Sequence, residues 1–127
     1  MPYSEVQSLA HCRILVVEDE YFIADEMALA LRAFGAEVIG PVPTMDKAIK
    51  IVESTEPIHA AILDVNLKGA RVFPLADILG ERGIPFVFAT GYSGTAIPAA
   101  YEAVPLWEKP FDPRALAQAL PAVVLPC

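Results

Sequence analysis

The sequence predicts an α/β domain in which a parallel sheet is covered by helices on both faces. Three observations carry this. Short apolar runs recur along the chain, Ile14 to Val17, Ala60 to Leu63 and Phe86 to Ala89, without the alternation of a strand that has one wet face. Between them lie stretches whose apolar residues fall at helical spacing. Each run also stops at a polar residue of a different kind: Glu18-Asp19, then Asp64, then Thr90, and Lys109 shortly after Leu106-Trp107. Ligands bind such sheets beyond the carboxyl ends of the strands, where these side chains gather.

The elements follow in order. After the first strand, Ile23, Met27, Ala30, Leu31 and Phe34 mark a helix that Gly35 stops. Glu37 to Val42 is a second strand closed by Pro41 and Pro43, and Thr44 caps a helix carrying Met45, Ala48, Ile49 and Val52 on one face. Pro57 ends that unit. His59 to Asp64 is the third strand, and Val72, Leu75, Ala76 and Leu79 mark a third helix with Pro74 tolerated in its first turn. Pro85 to Thr90 is the fourth strand. Gly91, Ser93, Gly94 and Pro98 weaken helical propensity around Ala96 to Ala103, so a fourth helix there is expected to be short or mobile. Val104 to Trp107 is the fifth strand. Asp112-Pro113 then reads as an N-cap with proline at the first helical position, and the last helix, with Leu116 and Leu120 on its face, is kinked or ended by Pro121. Right-handed crossovers stack these units into three layers, and the reversal of strand order sets Glu18, Asp19 and Asp64 in one crevice.

At 127 residues the chain is one domain, read as 12–125 with an N-terminal extension over 1–11. A formal charge of -7 disfavours nucleic acid and anionic membrane as partners. Cys12 and Cys127 have the spacing of neither a zinc site nor a redox pair, so a reduced, cytoplasmic protein is expected. The start of the chain lacks the basic and apolar regions of a signal peptide, and no apolar run is long enough to span a bilayer. No helix-turn-helix or catalytic domain follows Val124, so direct transcriptional output is not expected.

Three carboxylates in one crevice need an explanation. Two of them about 4 Å apart repel by roughly 4 kcal/mol at an effective dielectric near 20, so the set calls for a cation or shared protons. Magnesium suits it better than calcium, because Mg²⁺ takes one or two carboxylates and completes its shell with water and phosphate oxygens. A strand-end carboxylate is also a nucleophile for phosphoryl transfer once the incoming oxygens are neutralised. Lys109 as a compact charge and Thr90 as a hydroxyl donor meet that need. The whole set reads as a phosphoryl acceptor.

From about Arg13 to Val124 these residues resemble the receiver domains of two-component response regulators. The resemblance rests on LVVEDE with Glu18-Asp19, LDVNLKG with Asp64, FATGY with Thr90 and WEKPF with Lys109 before Pro110, in family order and spacing. It implies a flavodoxin-like (βα)5 fold with a doubly wound five-stranded parallel sheet in the order 2-1-3-4-5. It implies that Asp64 takes a phosphoryl group from a histidine kinase or histidine phosphotransferase. Mg²⁺ would be held by Asp19 and Asp64 directly, by Glu18 through water and by the backbone carbonyl of Asn66. Thr90 would follow the phosphoryl group, Lys109 would pair with it, and the Lys109-Pro110 bond would be cis. Most receivers carry an aromatic switch three positions before the lysine. Here that position is Leu106, with Trp107 turned to the opposite face. The FATGY run resembles a subgroup that lacks the aromatic switch, is often found without an output domain and pairs with less common histidine kinase families. Tyr92 is the candidate to sense the phosphate in its place.

Taken singly, each residue has a plainer reading. An acid pair after a strand is more often a solvated turn, Thr90 an ordinary strand end and Lys109 a surface lysine; their joint order carries the inference. His11 and His59 read as structural or exposed. Glu20 reads as a first-turn acid favoured by the helix dipole, and Lys68 and Arg71 as solvated loop residues with a minor role in phosphate access or docking. The function expected is that of a stand-alone, cytoplasmic receiver, not an enzyme beyond promoting its own phosphorylation and dephosphorylation. It would act in a phosphorelay through a downstream protein partner or as a phosphate shuttle or sink. One alternative is a binding module of the same fold that works without phosphorylation. Another is an aspartyl-phosphate hydrolase of the haloacid dehalogenase type, disfavoured because Asn66 stands where that class has a second acid.

Overall fold

The computed structural model describes residues 8–54, 56–91 and 97–127. Its elements are β1 (Arg13–Val17), α1 (Tyr21–Ala33), β2 (Glu37–Val42), α2 (Met45–Val52), β3 (Ala60–Asp64), β4 (Asn66–Leu67), β5 (Ala70–Arg71), α3 (Phe73–Glu81), β6 (Phe86–Thr90), β7 (Leu106–Glu108), α4 (Pro113–Ala119) and α5 (Pro121–Val124). Among the described residues a 3-10 turn, Ala99–Tyr101, stands between β6 and β7.

The main sheet has the order β2-β1-β3-β6-β7, and every pairing in it is parallel. This is the expected 2-1-3-4-5 arrangement. Side chains alternate across the sheet, so each central strand feeds two cores. Ile14, Val16, Ile62 and Val87 pack with Met27, Leu31, Leu116 and Leu120 under α1, α4 and α5. Leu15, Val17, Leu63 and Phe88 pack with Ala48, Val52, Leu75 and Leu79 under α2 and α3. Burial on both faces is why these strands read as unbroken apolar runs.

Local chemistry sets the boundaries. Thr44 caps α2 by accepting a hydrogen bond from the Lys47 N–H, and Asp112 caps α4 by accepting from Arg114 N–H, with Pro113 at the first helical position. Pro121 separates α4 from α5, as its missing N–H requires. At Gly40, with φ of 96°, the register of β1 against β2 slips between Leu15 and Val17.

Two features differ from the sequence reading, and a third was expected. The short antiparallel hairpin β4–β5 was not foreseen; Lys68 (φ 49°) and Gly69 (φ 89°) close it as a two-residue turn of the kind that wants positive φ twice. The fourth helix, expected to be short, appears among the described residues as the turn Ala99–Tyr101; residues 92–96 lie outside the described set. The reduced state expected of the cysteines is corrected. Cys12 and Cys127, 115 positions apart, form a disulfide with a Cα–Cα distance of 5.1 Å, because Leu125 packs back onto the core cluster that contains Cys12. Sequence spacing carries no trace of that return path.

Candidate functional site

The loops following β1, β3 and β7 meet the end of β6 at the carboxyl end of the sheet. Glu18 leaves β1 with its N–H donating to the Val42 carbonyl at 3.1 Å, and its side chain is buried. Its Oε2 accepts from the Glu20 N–H at 3.1 Å. Asp19 Oδ2 accepts from the N–H of Lys68 at 3.0 Å, so the unforeseen hairpin holds the second acid of the pair. Asp64 ends β3, buried, with Oδ1 accepting from the Asn66 N–H at 3.2 Å. Lys109 follows β7, anchored by its own N–H to the Thr90 carbonyl at 2.8 Å, and the Lys109-Pro110 bond is cis.

Lys109 Nζ lies 2.9 Å from Glu18 Oε1, 3.2 Å from Glu20 Oε1 and 3.3 Å from Asp64 Oδ2. Carboxylate oxygens of Glu18, Asp19, Glu20 and Asp64 all lie within 4.8 Å of one another. Three carboxylates thus surround one ammonium, and the fourth, Asp19, lies beside them. Burial pushes the Asp64 carboxyl up to about 7, and the hydrogen-bonded Glu18 and its charge push the same way against Lys109 and the Asn66 N–H. Burial pulls the Lys109 ammonium down, but Glu18, Asp64 and Glu20 together hold it above its ordinary range. Surplus negative charge and hard oxygen donors fit a divalent cation, so this cluster could hold a metal ion.

The structure therefore brings together Glu18, Asp19, Asp64 and Lys109 as the strand ends suggested. Thr90 closes β6 one residue beyond Ala89, the register partner of Asp64, and is buried. Asn66 meets Asp64 through its N–H. Leu106 is exposed, whereas Trp107 turns to the other face and packs on Phe111 with ring centroids 5.8 Å apart. Pro110 is exposed beside them. Tyr92 lies outside the described residues. His59 is structural, its Nδ1 accepting from the Arg13 N–H at 2.9 Å.

Two participants were missed. Glu20 occupies the N-cap position of α1 but makes no capping bond, and its carboxylate crosses to Lys109 instead of serving the helix dipole. The run of three acids was the available signal. The Lys68 N–H on Asp19 had a weaker one, the Lys68-Gly69 pair that closes a hairpin.

No family model matches the chain. The sensory transduction protein LytT of Bacillus subtilis (strain 168) is 32% identical over 112 residues, which cover 85% of this chain and 46% of that protein. The chain spans about half the length of that curated relative. The response regulator PhyR from Brucella abortus superposes with a TM-score of 0.72 at 26% identity, over 91% of this chain and 48% of that one. SdrG from Sphingomonas melonis Fr1 superposes with a TM-score of 0.76 at 41% identity, and the match covers 87% of this chain and 94% of SdrG.

The chain belongs to the response-regulator receiver family. Such receivers are signalling modules of two-component systems rather than enzymes in the usual sense, and the acid cluster of this receiver is compatible with Mg²⁺ and with phosphorylation of an aspartate. Among the described residues, no helix of the receiver is long and apolar enough to cross a membrane.

Proposed function

We propose that this receiver accepts a phosphoryl group on Asp64 from a phosphohistidine of a histidine kinase or histidine phosphotransferase, and acts in a cytoplasmic phosphorelay. The observation that carries this is a buried strand-end carboxylate 3.3 Å from a lysine ammonium, within a cluster that holds three further carboxylates. An Asp64 oxygen attacks phosphorus, the bond from phosphorus to the donor imidazole nitrogen breaks, and the imidazole leaves with the bonding pair. Lys109 pairs with a phosphoryl oxygen and the Thr90 hydroxyl donates to another. Glu18, Asp19, Asp64 and the backbone carbonyl of Asn66 are the residues that would hold Mg²⁺, which supplies neutralisation of the phosphoryl charge. The same groups let the receiver promote its own phosphorylation and dephosphorylation.

Output runs through protein contacts to a downstream partner, or the receiver shuttles or drains phosphate. With Leu106 in place of an aromatic switch, Thr90 and Tyr92 are the residues that sense the phosphoryl group, with Leu106 and Pro110 on the output side. Tyr21 and Phe22 support a histidine-bearing partner. Both rings are exposed at the start of α1, beside Glu20, as an apolar contact next to the acceptor.

Intact mass after incubation with Mg²⁺ and a small acyl-phosphate or phosphoramidate donor tests the reading. The wild type gains one hydroxylamine-labile phosphoryl group and Asp64→Asn gains none. No gain, under conditions where a control receiver reacts, would leave a phosphorylation-independent binding module as the better account.

A further inference from the structure

We infer that Glu20 is a positioning residue for Lys109, a carboxylate that holds the ammonium before phosphorylation and competes with the phosphoryl group for it afterwards. The inference rests on the acceptor reading of Asp64 and concerns the regulation of that same site. An ammonium has three N–H donors and no acceptor. Here three carboxylates lie around it, Glu18 at 2.9 Å, Glu20 at 3.2 Å and Asp64 at 3.3 Å. A phosphoryl oxygen arriving at Asp64 reaches Lys109 Nζ only if one of these gives way.

Burial and bonding decide which one yields. Asp64 carries the phosphoryl group and stays in place. The Glu18 side chain is 6% exposed and also fixed by the Glu20 N–H on its Oε2. The Glu20 side chain is 60% exposed and makes no capping bond to α1, so it returns to water at the smallest loss. Its charge also opposes an incoming phosphoryl dianion, an effect that salt weakens. Glu20 therefore sets how readily Lys109 is released to the phosphoryl oxygens, without touching the reacting atoms.

Two measurements on full-length Glu20→Gln test this. The first is the NMR signal of the Lys109 side chain without any phosphoryl donor, which shifts when its third carboxylate is removed and shifts back in part with Glu20→Asp. The second is titration with beryllofluoride at saturating Mg²⁺, with Mg²⁺ affinity measured separately. Glu20→Gln binds the analogue roughly two- to five-fold more tightly, the range of an ion pair with one exposed partner, and the gain shrinks as salt is raised. Equal or weaker analogue binding by Glu20→Gln, with the wild type binding normally, overturns the inference. So does an unchanged Lys109 signal. A wild type that takes up no analogue, while the Lys109 signal still moves, overturns the acceptor reading itself and the competition that depends on it.

Discussion

Asp64 is destabilising as long as no cation joins the cluster. Its carboxyl is raised from an ordinary value of 3.8 to about 7, chiefly by burial and then by Glu18. The neutral form is thus the one the fold prefers. Below about pH 4 the group is protonated in folded and unfolded chains alike and has no effect on stability. Between about pH 4 and 7 the unfolded chain releases the proton first, so stability falls as pH rises, and above 7 the full penalty is present. Asp64→Asn removes this slope. Urea unfolding at pH 8 with a chelator present should find the variant more stable by roughly 2 kcal/mol, about half of what three pH units would give, because Lys109 loses one partner. At pH 4 the two proteins should match. Magnesium should reverse the order at pH 8 by binding the ionised set, and a wild type that is the more stable at pH 8 without the ion contradicts the account. Chemical identity made Asp64, Asp19, Glu18 and Lys109 legible in sequence, since each ends or closely follows an apolar run. Glu20 was not, because whether an acid serves its own helix or reaches across the chain depends on a side-chain direction that only the fold supplies.

Elements place these groups, and Gly40 is where β2 touches the site. Its φ of 96° is left-handed, and a Cβ there would lie 2.7 Å from the Val42 nitrogen and 3.1 Å from the Val16 carbonyl, both backbone atoms that cannot swing aside. The Val42 carbonyl in turn receives the Glu18 N–H. Gly40→Ala should destabilise the domain by about 2–3 kcal/mol and, by moving Val42, weaken divalent-ion binding. Gly69 makes the control. It also has positive φ, but nothing lies within 4 Å of its added Cβ, so Gly69→Ala should show only the backbone strain of about 1 kcal/mol. Equal losses in the two variants by urea unfolding would mean that the close approach at Gly40 is not what matters. Strands, caps and proline stops could be read ahead of the structure because they follow from nearest neighbours and periodicity. Thr44, Asp112-Pro113 and Pro121 behave as their local chemistry requires. The hairpin β4–β5 escaped that reading, being too short to show a period; at Ala99–Tyr101, where a short segment was expected, Tyr101 stacks on Phe73 and meets Phe86 and Phe88 edge-on, a tertiary cluster rather than a helical face.

At the scale of the whole molecule, the Cys12–Cys127 disulfide ties the start of β1 to the end of the chain and closes nearly all of the sequence into one loop. Closing a loop of about a hundred residues restricts the unfolded chain by up to ~4.7 kcal/mol in the entropic account. Cross-links commonly deliver about 2–4 kcal/mol, less than that entropic figure, and Val124 and Leu125 pack on the core beside the bond. Reduction should therefore lower stability by about 3 kcal/mol, or ~10 °C in Tm for a domain of this size. In a compartment that keeps thiols reduced, the two-thiol form must fold on its apolar cores alone. Differential scanning calorimetry of the wild type with and without reductant, beside Cys127→Ser, separates the terms. The variant should melt with the reduced wild type and ignore the reductant. Phosphoryl acceptance should be the same in all three at temperatures well below melting, because Cys12 precedes β1 while Glu18 and Asp19 follow it, a strand's length away. A wild type whose Tm ignores reductant, with its thiols shown by mass to have been oxidised beforehand, would mean that the packing of Leu9, Val124 and Leu125 on the core, and not the covalent bond, fixes the chain's two ends.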